Sequence, residues 1–335
     1  MSRWKCTVAY DGSAYAGWQT QRLDNSVQEQ IEKALFRLTG KKTVAIAAGR
    51  TDAGVNARGQ VFHFDSDREM TERKWQGAMN ALLPDDIHIM KVEKKDRRFH
   101  ARFSVLSKQY DYRIHLGEFD VFSRTSAYQC PYQLDIERMK QAAGLFVGTH
   151  DFTSFNSNTL KETPDQVRTL ESVDFHLDGD MLTISYRGRG FLRYMVRMMT
   201  GALLEVGRGR IGPEKIQEML DHPAKTVVRK NAHPEGLTLM EVNYFEVLAE
   251  DAVYMLREIL PEDVIAPEEL PADAENYAFV HKKTQRVLGV LQKRGEAAVW
   301  HVKEDGKTAA EELLPVLQTY EPQLQVQLVI SEHAC

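Results

Sequence analysis

The sequence predicts an α+β protein with two ferredoxin-like halves, whose antiparallel sheets adjoin around a central cleft, and a small α+β appendage. The first observation behind this prediction is the order of apolar patterns, which run β-α-β-β-α-β up to residue 95 and again up to residue 245. The second is an acidic stretch with three prolines after residue 245. We therefore expect halves at 1–105 and 106–245, a linker at 246–276 and the appendage at 277–335.

The first half begins with a predicted strand over residues 3–10, and a helix follows over residues 26–40. Ser26 and Glu29 have the spacing of a capping box, and Gly40 is a helix stop. The remaining patterns predict strands at 43–49 and 59–65, a helix at 71–83 and a strand at 87–95.

The second half repeats this order, with a strand at 108–115, a helix at 136–146, strands at 166–177 and 181–188, a helix at 191–207 and a strand at 237–245. Its two central strands flank the sequence Asp178-Gly179-Asp180, which is typical of a tight hairpin turn. Two such halves can leave a cleft between them, so we expect functional residues from both halves to meet there.

Charge distinguishes the C-terminal part of the chain. Residues 1–245 contain 35 Lys or Arg and 31 Asp or Glu, which gives a net charge of +4. The remaining residues contain 8 Lys or Arg and 17 Asp or Glu, which gives a net charge of −9. Residues 246–280 carry ten acidic residues and one base, Arg257, as expected of a solvated linker. Beyond it we expect strands at 277–293, 297–306 and 324–330 and a short helix at 308–320.

Composition excludes several classes of protein. Of the 335 residues, 43% are apolar and 27% are charged, which is ordinary for a globular protein. Cys6, Cys130 and Cys335 form no CxxC pair and predict neither a disulfide framework nor a thiolate zinc site. No apolar run approaches the roughly 18 residues of a membrane helix, and the start lacks a signal-peptide pattern. We expect a soluble, cytoplasmic protein that binds no membrane.

Motifs for metals, nucleotides and a nucleophilic serine are missing from the sequence. The eleven histidines are never closer than eleven residues apart, which excludes the HExxH and HxH patterns of metal sites. The chain also lacks a GxxxxGK[ST] phosphate loop, a GxGxxG dinucleotide motif and a GxSxG elbow. We therefore expect no cofactor and no metal.

Two segments are strongly basic. Residues 91–108 carry seven Lys or Arg and two acids, and residues 187–210 carry six Arg and one Glu, so each has a net charge of +5. One such run is usually a solvated face, but these two contain or adjoin Phe99, Phe103, Tyr110, Tyr112, Tyr186, Phe191 and Tyr194. Cations beside aromatic rings suit phosphates and unstacked bases, so nucleic-acid binding is as well supported as a solvated surface.

The loop at residues 49–59 has the sequence GRTDAGVNARG. It is longer than the roughly two to five residues of most hairpin loops. Asp52 lies between Arg50 and Arg58, a placement that would keep its carboxylate ionised, and the arginines are candidates for binding a substrate. The same residues could also form a plain turn in which Asp52 bonds its own backbone and Gly54 supplies a positive φ. Length and charge favour a functional loop.

The segment GRTDAGVNARGQVFHFD resembles the signature of the tRNA pseudouridine synthase A family. Further stretches resemble the remaining motifs of that family in order along the chain: YDGSAYAGWQTQ with SVQEQIEKAL, FHARFSVLSKQYDYRI, HDFTSF, VRTL, GFLRYMVRMMTGALLEVG and HPEGLTLMEVNYF. The resemblance extends from about residue 3 to residue 245 and includes most of the chain.

The resemblance implies that Asp52 is the catalytic residue, that Arg50 and Arg197 flank it, and that Tyr110 packs on the target base. The residues alone leave plainer roles open for two of these side chains. Arg197 could be a surface cation beside Arg193, and Tyr110 could be an ordinary core residue of its strand.

The reaction implied by the resemblance is the isomerisation of uridine to pseudouridine, which breaks the N1–C1′ bond, rotates the uracil and rejoins it through C5 without a cofactor. An ionised Asp52 would attack C1′ or remove the C2′ proton, and the sequence leaves both routes open. The implied substrate is the anticodon stem-loop of tRNA, at positions 38–40, bound by a homodimer. The target uridine would be flipped out of the stem and stacked on Tyr110.

The chain departs from the family pattern at two positions, because Asn56 replaces the usual His and Thr238 replaces the usual Tyr. These departures leave open a paralogue that modifies a different RNA site. The chain could also be a non-catalytic tRNA-binding protein or a structural scaffold with a basic surface. Binding alone requires no aspartate facing an anionic polymer, which disfavours a protein that only binds tRNA.

Overall fold

The computed structural model describes residues 1–21, 25–95, 97, 99–225, 231–244, 247–248, 275–281, 286–294, 297–302 and 325–330. The chain divides into two compact units, Met1–Asn243 and Tyr244–Cys335. None of the helices within these ranges has the length and apolar character needed to span a membrane.

The described part of the chain up to residue 244 contains both strands and helices. The strands are β1 (Ser2–Tyr10), β2 (Ile46–Ala47), β3 (Asn56–Ser66), β4 (Ile87–Lys95), β5 (Val105–His115), β6 (Tyr128–Gln129), β7 (Gly148–Asp151), β8 (Val167–Asp178), β9 (Met181–Gly188) and β10 (Leu237–Tyr244). The helices are α1 (Val27–Thr39), α2 (Glu72–Asn80), α3 (Ile136–Gly144), α4 (Met195–Gly207) and α5 (Pro213–Asp221). The fold is therefore mixed α+β, as the sequence predicts.

These ten strands form one open, largely antiparallel sheet. Its order is β4-β1-β3-β10-β5-β9-β8-β7, with β2 paired to β3 and β6 paired to β5. β3 and β10 are parallel, and Asn56 and Ala57 oppose Thr238 and Leu239. The last of these ten strands, β10, thus joins the strands of residues 1–95 to those of residues 105–188.

The core of the first unit lies between the sheet and its helices. Along β1 every second residue from Trp4 onwards is buried, because successive side chains of a strand point to opposite faces. The Trp4 ring lies 5.9 Å from Trp75 of α2, and the Phe64 ring of β3 lies 5.1 Å from the same indole. The neighbouring residue of β3, His63, therefore points to the opposite face of the sheet.

Several element boundaries differ from the sequence prediction. The side chain of Ser26 accepts a hydrogen bond from the backbone N–H of Glu29, and Gly40 ends the helix with φ of 69°, as predicted. The strand predicted at 43–49 is formed only by Ile46–Ala47. The helix predicted from residue 191 begins at Met195, because the preceding residue has a left-handed backbone conformation. The sequence did not predict β6, β7 or α5.

The second unit contains a five-stranded sheet in chain order. Its strands are β11 (Val247–Leu248), β12 (Glu275–His281), β13 (Arg286–Arg294), β14 (Ala297–Val302) and β15 (Gln325–Ile330). Neighbouring strands are antiparallel except for β14 and β15, which are parallel. Most of the predicted acidic linker, at 249–274, and the helix predicted at 308–320 lie outside the described residues.

Candidate active site

The loop between β2 and β3 carries Asp52 on a tight turn. The backbone N–H of Val55 donates to the carbonyl oxygen of Asp52 at 3.1 Å, and Gly54 between them has φ of +75°. Glycine adopts this conformation without steric cost. The positive φ expected of a plain turn is thus present, but the carboxylate is directed to Arg197 rather than to its own backbone.

The backbone of the segment that follows β1, at Gly17 and Trp18, packs closely against this loop. The hydroxyls of Tyr10 and Thr51 share a hydrogen bond of 2.8 Å, and the backbone N–H of Trp18 donates to the carbonyl oxygen of Thr51 at 3.1 Å. A Cβ on Gly17, which has φ of +96°, would lie 2.5 Å from that same oxygen. The close approach therefore requires glycine at this position.

Two buried side chains support the beginning of the loop. Nζ of Lys108, in β5, donates to the carbonyl oxygen of Ala48 at 2.9 Å, and Nε2 of Gln60, in β3, donates to that of Gly49 at 2.8 Å. Lys108 is 9% exposed, and burial together with the nearby charge of Arg102 lowers its pKa to about 8. Side chains from two strands thus fix consecutive carbonyl groups at the start of the loop.

Asp52 forms an ion pair with Arg197 of α4. Nη1 of Arg197 lies 3.5 Å from Oδ2 of Asp52, and Nε of the same arginine donates to the carbonyl oxygen of Ala232 at 2.8 Å. The side chains of Asp52 and Arg197 are 21% and 12% exposed. The structure therefore brings together two predicted site residues that are 145 positions apart in the sequence.

Burial raises the pKa of the Asp52 carboxyl above its ordinary value. The charge and hydrogen bond of Arg197 and the charge of Arg193 act in the opposite direction. We expected Arg50 and Arg58 to hold this carboxylate ionised, but both are exposed and neither pairs with it in the described part of the chain. The turn directs the carboxylate towards α4, so the cations that act on it come from that helix and the residues just before it.

Tyr194 lies between the two arginines that act on Asp52. Its ring centroid is 5.2 Å from the guanidinium carbon of Arg193 and 5.1 Å from that of Arg197, which are cation–π distances. Its φ of 62° is the only positive value at a non-glycine residue in the described ranges. This conformation costs about 1–2 kcal/mol. Residues held in such conformations cluster at functional sites.

Tyr110 of β5 is within electrostatic reach of Asp52. It is 7% exposed, and its ring meets that of Phe191 edge to face at 5.1 Å. Burial raises the pKa of its hydroxyl, and the charges of Tyr10 and Asp52 act in the same direction. Tyr110 is thus a packed core residue of its strand, and the charge of Asp52 acts on its hydroxyl.

Comparison with known proteins identifies the family. Residues 7–104 and 142–245 match a family model described as tRNA pseudouridine synthase. The chain belongs to this family. It is 47% identical over 249 residues to tRNA pseudouridine synthase A of Oceanobacillus iheyensis, and the match covers 73% of this chain and 98% of that protein.

Two further relatives give the same result. The protein of the same name from Listeria innocua is 46% identical over 248 residues, covering 73% of this chain and 100% of that protein. tRNA pseudouridine synthase A 1 of Bacillus cereus is 45% identical over 246 residues, covering 73% and 99%. The family model ends at residue 245, before the five-stranded sheet of the second unit begins.

The two residues that we expected to depart from the family pattern are neighbours where β3 meets β10. Asn56 and Thr238 are register partners and are 7% and 6% exposed. Oδ1 of Asn56 accepts from the backbone N–H of Gly12 at 2.7 Å, and Nδ2 donates to the carbonyl oxygens of Thr125 at 2.8 Å and Glu235 at 3.4 Å. One buried amide therefore ties the segment after β1 to two segments that flank β6 and β10.

Three side chains around the loop of Asp52 have no individual role in the sequence patterns, which include Tyr194, Arg193 and Lys108 only as members or aromatic neighbours of the two basic runs. No helical spacing could have indicated the pairing of both arginines with Tyr194, because Arg193 precedes the helix and Tyr194 has a left-handed backbone conformation. The burial of Lys108 could not be predicted either, since a lysine within a basic run predicts an exposed side chain.

Proposed function

We propose that this protein converts uridine to pseudouridine in tRNA and that Asp52 is its catalytic residue. The ion pair between Asp52 and Arg197 carries this proposal, because it links the loop that matches the family signature to a helix from a later part of the chain. A carboxylate opposes the approach of a polyanion, so binding alone gives no reason for its presence.

The charge of Asp52 is central to either route of the reaction. An ionised carboxylate attacks C1′ or removes the C2′ proton as the N1–C1′ bond breaks. The electron pair of that bond leaves with the uracil, and an adjacent guanidinium stabilises the resulting anion. After the uracil rotates, C5 bonds to C1′ as the ester bond between C1′ and Asp52 breaks or, on the second route, as C2′ regains the proton that Asp52 removed. The C5 proton is then lost and N1 gains a proton. Burial opposes ionisation of Asp52, and Arg197 and Arg193 favour it.

We propose the anticodon stem-loop of tRNA as the target and a homodimer as the form that binds it, on the basis of the family resemblance. Flipping the uridine against Tyr110 costs a few kcal/mol, which stacking and phosphate contacts offset. Arg50, on the loop that carries Asp52, and Arg58, near the start of β3, are both exposed and can contact phosphates. Binding should weaken steeply as salt rises, because each neutralised phosphate releases counterions.

We further propose that residues 1–105 and 106–245 are two ferredoxin-like halves and that residues 246–276 link them to an appendage at 277–335. The strand orders β4-β1-β3-β2 and β10-β5-β9-β8 support the two halves, because they are identical once the four main strands are numbered within each half. The separate five-stranded sheet supports the appendage, to which we assign no role.

Substitution of Asp52 tests the catalytic proposal. Asp52→Ala should bind an unmodified tRNA transcript with nearly the Kd of the wild-type protein and form no pseudouridine, measured by tritium release from C5-labelled uridine. Appreciable product from Asp52→Ala would refute the assignment. A wild-type protein that binds the transcript but releases no tritium would instead indicate a non-catalytic tRNA-binding protein.

The modified position is tested separately. Pseudouridines mapped in total RNA from cells with and without the gene should differ in the anticodon stem-loop of tRNAs. A difference confined to another RNA site would indicate a paralogue with a different target and leave the chemistry of Asp52 intact.

A further inference from the structure

Residues 100–104, just before β5, form a turn that is held by hydrogen bonds and that we call the aromatic turn. The backbone N–H of Ser104 donates to the carbonyl oxygen of His100 at 2.9 Å, and the backbone N–H of His100 donates to Oγ of Ser104 at 3.0 Å. Nδ1 of His100 accepts from the backbone N–H groups of Arg102 and Phe103 at 3.1 and 3.3 Å. Backbone and imidazole therefore hold each other in one arrangement.

Phe103 is exposed although this turn fixes its position. Its side chain is 55% exposed, and its ring stacks on the His100 ring with centroids 4.3 Å apart and an angle of 27°. His100 in turn lies 4.7 Å from His63, which is 1% exposed and anchors the stack to the sheet. The guanidinium carbon of Arg102 is 5.9 Å from the centroid of the Phe103 ring. A large apolar surface is thus presented to solvent beside a cation.

Positively charged side chains surround this turn, and the charge of one of them acts on a lysine that contacts the loop of Asp52. Burial, followed by the charges of Arg3 and Arg102, lowers the pKa of His100, so its ring is neutral at pH 7. Arg102 also acts on Lys108, whose Nζ holds the carbonyl oxygen of Ala48 at the start of the loop. The charge of Arg102 therefore acts both on the aromatic turn and on a side chain that holds the loop of Asp52.

We propose that His100, Arg102 and Phe103 form a nucleotide-binding platform, on which an unpaired base of the substrate RNA stacks against Phe103 while Arg102 contacts the adjoining phosphate. The inference rests on the proposed function, since it names a second contact of the same RNA. Every base has a π face, so a fixed aromatic ring binds unpaired nucleotides with little regard to sequence. The positive charge of residues 91–108 complements RNA.

Substitution at Phe103 tests the stacking contact. Phe103→Leu keeps an apolar side chain but removes the π face, and it should raise the Kd for an unmodified tRNA transcript about tenfold. Its kcat at saturating transcript should equal that of the wild type. Phe103→Trp should restore the wild-type Kd, and transcript should quench the fluorescence of the added indole.

Two further variants separate stacking from charge and from exposure. Arg102→Gln should weaken binding and reduce the slope of log Kd against log salt by about one, whereas Phe103→Leu should leave that slope unchanged. Phe122→Leu is the matched control, because Phe122 is 93% exposed but lies near Glu118 and Asp120. It should leave the Kd unchanged.

The outcomes distinguish this platform from the proposed function. Equal Kd values for wild type and Phe103→Leu, with both proteins forming pseudouridine, would overturn the platform alone. If the wild type forms none, the proposed function fails, and the Kd comparison still decides the platform. A changed sedimentation coefficient of Phe103→Leu with an unchanged Kd would assign the ring to a protein interface and overturn the inference.

Discussion

Removal of the guanidinium beside Asp52 should slow pseudouridine formation and change its pH dependence. Two unit charges separated by the observed 3.5 Å attract each other by about 5 kcal/mol at an effective dielectric constant of about 20. Both side chains keep some contact with solvent, and the charge of Arg193 still acts on Asp52 in the variant. We therefore expect Arg197→Met to lose about 3 kcal/mol of transition-state stabilisation. That loss corresponds to a rate about 100-fold lower.

The sign of the pH effect follows from the charge that the reaction requires. Asp52 acts as a carboxylate, so activity falls as pH drops through its pKa. Burial already raises that pKa, and loss of Arg197 removes the main opposing influence. The acid limb of kcat/KM, measured by tritium release, should therefore move to higher pH in Arg197→Met.

A matched variant directly after the same helix controls for general damage. Arg208 follows the last residue of α4, pairs with Glu205 of that helix at 3.4 Å and is similarly shielded, with its side chain 17% exposed. Arg208→Met should leave the acid limb in place. If Arg197→Met keeps the wild-type acid limb and loses less than about threefold in rate, Arg197 does not control the charge of Asp52.

Four further outcomes are expected. In thermal unfolding, Asp52→Asn should be more stable than the wild type at pH values above the pKa of Asp52, because the buried carboxylate of the wild type is ionised there. The difference in stability should vanish in acid. A less stable variant at neutral pH would contradict this. Burial lowers the pKa of His63 from 6.5 to about 4. The free energy of unfolding, measured by urea titration, should therefore fall by roughly 3 kcal/mol as the pH drops from 6.5 to 4. His63→Gln should lack this fall. Asn56→Ala should lower the free energy of unfolding by about 2 kcal/mol, because buried backbone groups lose their partner, and an unchanged urea midpoint would argue against it. A chain ending after residue 248 should keep its tRNA activity in the tritium assay, because the family model ends at residue 245, and an inactive but folded product would give the second unit a role in the reaction.

Local signals predicted most elements of the fold. Ser26 and Gly40 act on their own helix through short-range hydrogen bonds and backbone conformation, so α1 has nearly the predicted bounds. The start of α4 could not be predicted in this way. Phe191 packs against Tyr110 of a distant strand, and Tyr194 adopts a positive φ between two arginines, so contacts outside the helix decide where it begins.

The sequence named candidate residues for the site but did not indicate all the contacts that they make in the structure. The family resemblance pointed to Asp52 and Arg197, and the structure pairs them. Proximity in sequence suggested that Arg50 and Arg58 would neutralise Asp52, but the direction of a side chain depends on the turn beneath it. The contribution of Arg193 arises only when α4 packs against the loop, which no local pattern encodes.

The position of β10 bears on when the protein becomes active during its synthesis. β10 is the last of the ten strands to leave the ribosome, yet it lies between β3 and β5, and no other strand of the described sheet connects them. A nascent chain that stops before Leu237 can form many of the other hydrogen-bonded ladders but lacks the strand that pairs with both β3 and β5. We therefore expect nascent chains to leave RNA unmodified until translation has passed residue 244, which protects transcripts from a half-built enzyme.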